Sequence, residues 1–454
     1  MKKYFPTKNI LIAGILLATL NFYSQWQSLT TGLSGGAGSF TTFNNKLIVG
    51  GSFTIAGGNA AQNIAAWDGI NWSTLGQGLN GTNGPFIVSA LTVYNSDLIA
   101  AGTISASGTT TLCNIAKWNG TSWAPIVSSM TSDTMSQQGP YISALIIYNN
   151  KLIAAGNFTA ISGVPANNIA QWDGTNWSPL GSGLSHAPAF TDVRALTVYN
   201  NELYAGGFFS MPSILAANVA KWNGSNWSAA GYITDCAASN ISVMSLCEYN
   251  GELYAGNCVN GLSKLSGGNW ITVGGGIFPN NSNNGPRALL VYDNQLIVAG
   301  GFSGAGSTVR FNITTWDGAN WNKIGGIDGF DVSLFSLAVY NSCLYAGGLF
   351  NNTIQTTPIA VSHISNYCGP LGVKENAIDK ISIFPNPTSG KINFEGLNGE
   401  NKIVFYDLFG RVIFESEFKE PQISIDLNSK KAGMYLYKIT NKSGLVNQGK
   451  IIIN

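Results

Sequence analysis

The sequence predicts an all-β chain: seven four-stranded repeats closed into a ring by an N-terminal strand, followed by a small C-terminal β-sandwich. Three observations carry that expectation. One hairpin motif recurs seven times, tryptophans recur in register with it, and both patterns stop near Lys374, where the composition changes.

The hairpin reads FNNKLIVGG from Phe43, YNSDLIAAG from Tyr94, YNNKLIAAG from Tyr148 and YNNELYAGG from Tyr199. It returns as YNGELYAGN from Tyr249, YDNQLIVAG from Tyr292 and YNSCLYAGG from Tyr340. The aromatic-to-aromatic spacings are 51, 54, 51, 50, 43 and 48 residues, a period that belongs to stacked or radial repeat architectures.

The third repeat shows the unit. Ser143 to Tyr148 is rich in β formers, and Asn149-Asn150 stand where a two-residue turn needs positive φ twice. Lys151 to Ala155 returns, Ile169 to Trp172 forms a third strand, Asp173-Gly174 opens a tight turn, and Trp177 to Leu180 is the fourth. Four strands, here a to d, in about 50 residues match a β-propeller blade. All 12 tryptophans obey the pattern: pairs at 67/72, 118/123, 172/177, 222/227 and 316/321, with Trp26 and Trp270 alone. A side chain that offers about 200 Å² of burial at the same place in each repeat suits packing between blades better than a sugar-binding row.

The seventh repeat has strands a and b, then Pro358 to Ile364 where strand c is expected, and no strand d. Trp26 to Leu33 matches Trp177 to Leu184, a strand d with no repeat of its own. Lending it to the last repeat closes seven blades and removes exposed edges.

The Trp-Asp-Gly-x-Asn-Trp turn resembles the Asp-box of sialidase-type propellers, and the hairpin resembles kelch and galactose-oxidase repeats, over about 340 residues. The Asp-box resemblance implies that Asp68, Asp173 and Asp317, with Asn119 and Asn223 in their blades, tie down turns. No catalytic residue of these families carries over. Repeat five departs, with Ser266-Gly267-Gly268-Asn269-Trp270 and no first tryptophan.

The predicted boundaries are 1–24 signal peptide, 25–368 propeller, 369–379 linker and 380–454 C-terminal domain. Basic residues at Lys2, Lys3 and Lys8 precede an apolar run from Ile10 to Leu20, too short to span a bilayer comfortably, with a cut expected after Ser24. The C-terminal segment carries PNPTSGKI (Pro385, Asn386, Pro387, Gly390), YDLFGRVI (Gly410), AGMYLYKI (Gly433, Tyr435) and GKIIIN (Lys450). It resembles the type A C-terminal sorting domain of the type IX secretion system of Bacteroidetes. That resemblance implies export through the periplasm, passage across the outer membrane, partnership with the type IX machinery, and removal of the domain near 369–380. The product is then released or attached to surface glycolipid.

Residues 25–373 hold nine basic and 13 acidic side chains, a net of −4, which excludes a nucleic-acid binder. His186 and His363 are the only histidines, so no histidine metal centre, and no cofactor, is expected. Cys236–Cys258 and Cys343–Cys368 are conceivable bridges, with free thiols the alternative.

No nucleophile, metal or paired-carboxylate constellation is visible, so binding is expected rather than catalysis. The a–b and c–d turns should pave one plain face, leaving the d–a and b–c loops on the other, where function usually sits. Those loops bring Phe86, Tyr141, Phe190, Phe278 and Phe330 toward that face, with Arg194 and Arg287 at equivalent positions before strand a and Asp192 and Asp331 close by. The expectation is a mouth that binds a glycan or a protein; the alternative is that the aromatics fill loops and the arginines bridge blades. A polysaccharide hydrolase or lyase and a structural envelope component are the competing functions.

Overall fold

The computed structural model describes residues 25–81, 87–132, 139–185, 191–211, 213, 216–233, 243–279, 285–369, 382–396, 400–407, 411–441 and 444–454. The expected signal peptide and most of the expected linker lie outside them. The chain divides into two compact units, Met1–Leu371 and Gly372–Asn454.

The described part of the first unit is all-β, and seven of its sheets are four-stranded antiparallel meanders. Their first strands are Ala37–Phe43, Val88–Tyr94, Tyr141–Tyr148, Asp192–Tyr199, Val243–Tyr249, Pro286–Tyr292 and Leu334–Tyr340, which number sheets one to seven. Each first strand neighbours the next, and that of sheet seven lies beside that of sheet one. In sheet seven the fourth strand is Gln27–Ser28, with Gln27 opposite Asn366 and Ser28 opposite Ser365.

One strand differs from expectation. The third strand of sheet seven is Ile364–Tyr367, following Pro358 to Ile364 rather than coinciding with it. His363-Ile364-Ser365-Asn366-Tyr367 occupies the place of Asn168-Ile169-Ala170-Gln171-Trp172, with Tyr367 as the tryptophan. Tyr367 accordingly lies 5.7 Å from Trp26.

The hairpin turns have the backbone the asparagines suggested: φ is +48° and +59° at Asn149 and Asn150, and +52° and +74° at Asn250 and Gly251. The motif's tyrosine links sheets. Tyr94, Tyr148, Tyr199, Tyr249, Tyr292 and Tyr340 each donate their hydroxyl to a carbonyl in the next sheet's turn; Tyr340 reaches Asn45 at 2.8 Å. Sheet one has Phe43 and cannot make this bond. The fourth-strand tryptophans form a second circle. Trp72, Trp123, Trp177, Trp227, Trp270, Trp321 and Trp26 each donate Nε1 to a carbonyl at the fourth-strand end of the preceding sheet. Within a sheet, paired tryptophans sit directly opposite one another, 4.9–5.4 Å between centroids. Recurrence thus follows from packing, and each net bond is worth about 1 kcal/mol.

Among the described residues, the segments of the opposite face carry short strands that their variable sequence did not suggest. The d–a segment of one sheet pairs with the b–c hairpin of the next, as Asn80–Gly81 does with Ile104–Ser107 and Met130–Thr131 with Ala160–Ile161. Ile277–Pro279 and Gly329–Phe330 repeat the arrangement at sheets six and seven. Sheet five has no such hairpin: Asn257 pairs directly with Gly261. A buried asparagine before strand c ties this tier down. Asn63, Asn168, Asn218 and Asn312 each accept an N–H from the end of strand b and donate to a d–a carbonyl.

Cys343 and Cys368 are bridged, Cys258 is also disulfide-bonded, and Cys113 and Cys247 are free thiols. Cys236 lies outside the described residues.

The second unit packs a three-stranded sheet (Ser382–Phe384, Lys391–Glu395, Gln422–Asp426) on a four-stranded one (Asn401–Tyr406, Val412–Phe418, Gly433–Asn441, Gly444–Ile453). Phe394 of the first meets Phe405 and Tyr437 of the second, at 6.1 and 5.4 Å.

Candidate functional site

In all seven sheets strand a carries one residue more than strand b at the same place, a β-bulge near the loop-face end. The extra residues are Gly38, Ser89, Ser143, Arg194, Met244, Arg287 and Phe335. A bulge re-aims its side chain and leaves it out of the ladder. Because the first strands surround the axis, the bulges make a sevenfold collar there, and Arg194 and Arg287 belong to it.

The glycine-rich end of strand b makes the bulge possible. At Gly207 a Cβ would stand 2.1 Å from Asp192 O, and at Gly156 2.2 Å from Tyr141 O. The repeated Gly was readable in the hairpin motif, but the bulge it permits was not.

Arg194 donates Nε to Asp192 Oδ2 at 2.5 Å, and the Asp192 side chain is fully buried. Ser143 Oγ approaches the other oxygen at 3.4 Å. Tyr141 completes the cluster: burial, the Asp192 charge and hydrogen bonding to Asp192 raise its hydroxyl well above the usual range. Tyr141, Asp192 and Arg194 therefore stitch sheet three to sheet four, which is the bridging role for Arg194.

Arg287 is placed differently. Its guanidinium carbon lies 4.9 Å from the centre of the Phe335 ring in the next sheet, a cation–π geometry. Burial, and then the like charge of Arg194, lower it to about 10.

Phe330 does not belong to a mouth. It is fully buried, edge-on to Trp26 at 5.0 Å and against Phe350 at 4.3 Å, so no ligand can stack on it. Asp331 ties its d–a segment to the b–c segment of sheet seven, accepting from Asn351 N and Asn352 Nδ2. Phe278 is exposed. Phe86, Phe190 and His186 lie outside the described residues.

The Asp-box positions are structural. Asp68 Oδ1 accepts from Ile70 N and Asn71 N, and Asp173 Oδ1 from Thr175 N and Asn176 N, at 2.7–2.8 Å; Asn119 and Asn223 do the same. These backbone bonds hold both carboxyls below their ordinary 3.8.

In the second unit the motif residues hold one another. Asn386 donates Nδ2 to Lys450 O and accepts from Ile452 N, so the PNPTSG loop grips the last strand. Thr388 N bonds Ile452 O, and Asn454 N bonds Thr388 O. Pro385 and Pro387 both follow cis peptide bonds. At Gly390 a Cβ would meet Asn428 Oδ1 at 1.8 Å. Tyr435 donates to Lys431 O from the strand that Gly433 begins. Gly410 lies outside the described residues.

Residues 382–454 match the family of secretion system C-terminal sorting domains. The C-terminal unit carries a type IX sorting domain. A chain with this tail is exported, and the protein is secreted or held at the outer-membrane surface. Residues 37–247, four sheets and the start of the fifth, match the Rax2 C-terminal beta propeller domain. No curated protein matches the chain. Among solved structures it is similar to PorZ, an essential surface component of the type-IX secretion system of Porphyromonas gingivalis, at 14% identity and TM-score 0.49. That likeness covers 92% of this chain and 59% of PorZ. It is also similar to the GH74 xyloglucanase of Xanthomonas campestris (12%, 0.43; 82% of this chain, 59% of that one) and the WD40 propeller of Doa1 (10%, 0.42; 76% and 95%). Identities and scores this low carry nothing about activity.

Proposed function

We propose that this is a surface-displayed binding protein: a seven-bladed ring, closed by its N-terminal strand, that presents a ligand mouth on the loop face after export. The observation that carries the reading is the collar of seven bulges, in which two positions hold arginine. Serving as scaffold needs no cation there: sheets two and three use serine and sheet one glycine. Arg194 pairs with Asp192, and Arg287 lies over the Phe335 ring, so both cations stand on the collar that lines the loop-face end of the axis. The ligand class is a glycan or a surface protein.

A glycan and protein array probed with the purified mature chain tests this. Binding that weakens on substitution at Arg287, in a variant that keeps its fold, supports it. Turnover of a polysaccharide without retained binding would sink it in favour of an enzyme.

A further inference from the structure

Trp172 is the exception among the first tryptophans of the five pairs. Trp67, Trp118, Trp222 and Trp316 are buried, whereas Trp172 is partly exposed. The cause lies in the segment that leaves the preceding sheet. Elsewhere a glycine at positive φ closes that exit and lies against the next ring. A Cβ at Gly76 would stand 2.9 Å from Trp118, at Gly181 2.8 Å from Trp222, and at Gly274 2.5 Å from Trp316. Thr30, at φ +57°, holds the same place before sheet one. Sheet two has Val127 there. A β-branched residue is strained at positive φ, and Val127 is instead buried in the core with Ile161, Ala166 and Trp177.

The exit of sheet two is drawn to its neighbour's b–c hairpin. Ser128 N donates to Ser162 Oγ at 3.1 Å, and Ser162 N donates to Ser129 O at 2.7 Å. Met130–Thr131 then pairs with Ala160–Ile161, a register that carries the chain inward along strand b and away from Trp172. The ring is left beside a groove of about 540 Å³ on the outer wall between sheets two and three. Ligand sites occupy roughly 300–1,000 Å³. Pro125 and Lys117 border it from sheet two, and Trp172 and Val164 from sheet three. The c–d turn residues Thr175 and Asn176 stand at its plain-face end, and Ser128 at its loop-face end.

The charges of the groove cancel. Lys117 is paired with Asp97 at 3.3 Å, and the Asp173 carboxylate beside it accepts from Thr175 N and Asn176 N. The rim is polar and neutral: Thr175, Asn176 and Ser128 are exposed, and their side chains make no hydrogen bond among the described residues. The wall does not invite a peptide strand, since the outer strand of sheet two, Trp123–Pro125, has three residues and ends on a proline without an N–H. A partly exposed indole among hydroxyl and amide groups suits a ligand with apolar ring faces and hydroxyl edges, which is an uncharged sugar. Polar groups stand at both ends of the groove, so the ligand is a chain of such rings rather than one.

We propose that the groove between sheets two and three is a subsite for a neutral oligosaccharide, with a sugar ring on Trp172 and its hydroxyls on Thr175, Asn176 and Ser128. It lies on the outer wall, apart from the loop-face mouth, and does not depend on it. The test is a calorimetric titration of the mature full-length protein with cellohexaose, laminarihexaose, maltohexaose and mannohexaose, and with hexagalacturonate as the charged counterpart. Expected is binding of at least one neutral sugar, unchanged by added salt. Trp172→Ala should weaken it by about tenfold or more, the loss of one aromatic anchor. Trp172→Tyr, which places at this ring the residue that sheet seven uses at Tyr367, should stay within about threefold of wild type. The Thr175→Ala, Asn176→Ala variant changes only exposed side chains, so it reads the site even where Trp172→Ala fails to fold; it should lose about threefold or more. Binding of none of the neutral sugars overturns the proposal. Hexagalacturonate binding as tightly as the best neutral sugar overturns it in favour of a charged ligand. Wild-type affinity in a folded Trp172→Ala chain, or in the paired turn variant, places the binding elsewhere and overturns the groove.

Discussion

A buried carboxylate fixes what Arg194 can do. Asp192 has no exposure to water, and Arg194 holds its Oδ2. Arg194→Ala should strand it and cost about 3 kcal/mol, read as a shift in the urea midpoint, and should not be taken for loss of a ligand contact. Gly207→Ala tests the bulge: the new Cβ meets Asp192 O at 2.1 Å, and overpacking should destabilise by about 1–3 kcal/mol. The turn aspartates give the acid dependence. Asp68 and Asp173 are held below 3.8 in the folded chain, so they stabilise it above that pH, and the contribution fades as pH falls through their lowered values. Replacing both by Asn, the residue sheets two and four already use, should keep the turns and flatten the fall of thermal midpoint below pH 4. An unchanged acid slope would show that the turns do not set it.

At the scale of the element, the hairpin tyrosine makes a circle of hydrogen bonds with one gap, at Phe43. Phe43→Tyr should add the missing bond to sheet two's turn and stabilise by about 0.5–1.5 kcal/mol, while Tyr340→Phe should lose a similar amount; calorimetric melting of the two variants checks both signs. Much of this level was legible. Strand order, turn type and the packing role of tryptophan all follow from a motif repeated seven times, because repetition averages away local ambiguity. The third strand of sheet seven was misplaced because His363-Ile364-Ser365-Asn366-Tyr367 keeps only the isoleucine of Asn168-Ile169-Ala170-Gln171-Trp172. The second tier was missed because its strands are two to four residues long and pair between repeats, which no local periodicity records. Phe330 was misassigned for the same reason: it lies in one of those short strands, where pairing with Thr353 turns it into the core. The collar arginines were found, but the Arg194–Asp192 pair and the seat of Arg287 over Phe335 depend on which sheets the fold sets side by side.

For the whole molecule, two ends of the chain govern fate and form. The tail directs export, so truncation after residue 373 should leave the protein in the periplasm; normal surface display of that truncation would overturn the export route. The first described strand governs form. Trp26 is 1% exposed and holds the seam through Phe330, Tyr367 and Ile324 O. The plain face, the loop face and the axial collar all depend on that closure. The most direct test is a cross-strand bridge in the Ser28→Cys, Ser365→Cys variant, at residues that oppose one another in sheet seven. Mass spectrometry of the oxidised monomer should find residues 28 and 365 joined within one chain, with the thermal midpoint unchanged or raised. An unbridged monomer, or a bridge formed only between chains, would contradict the closed ring.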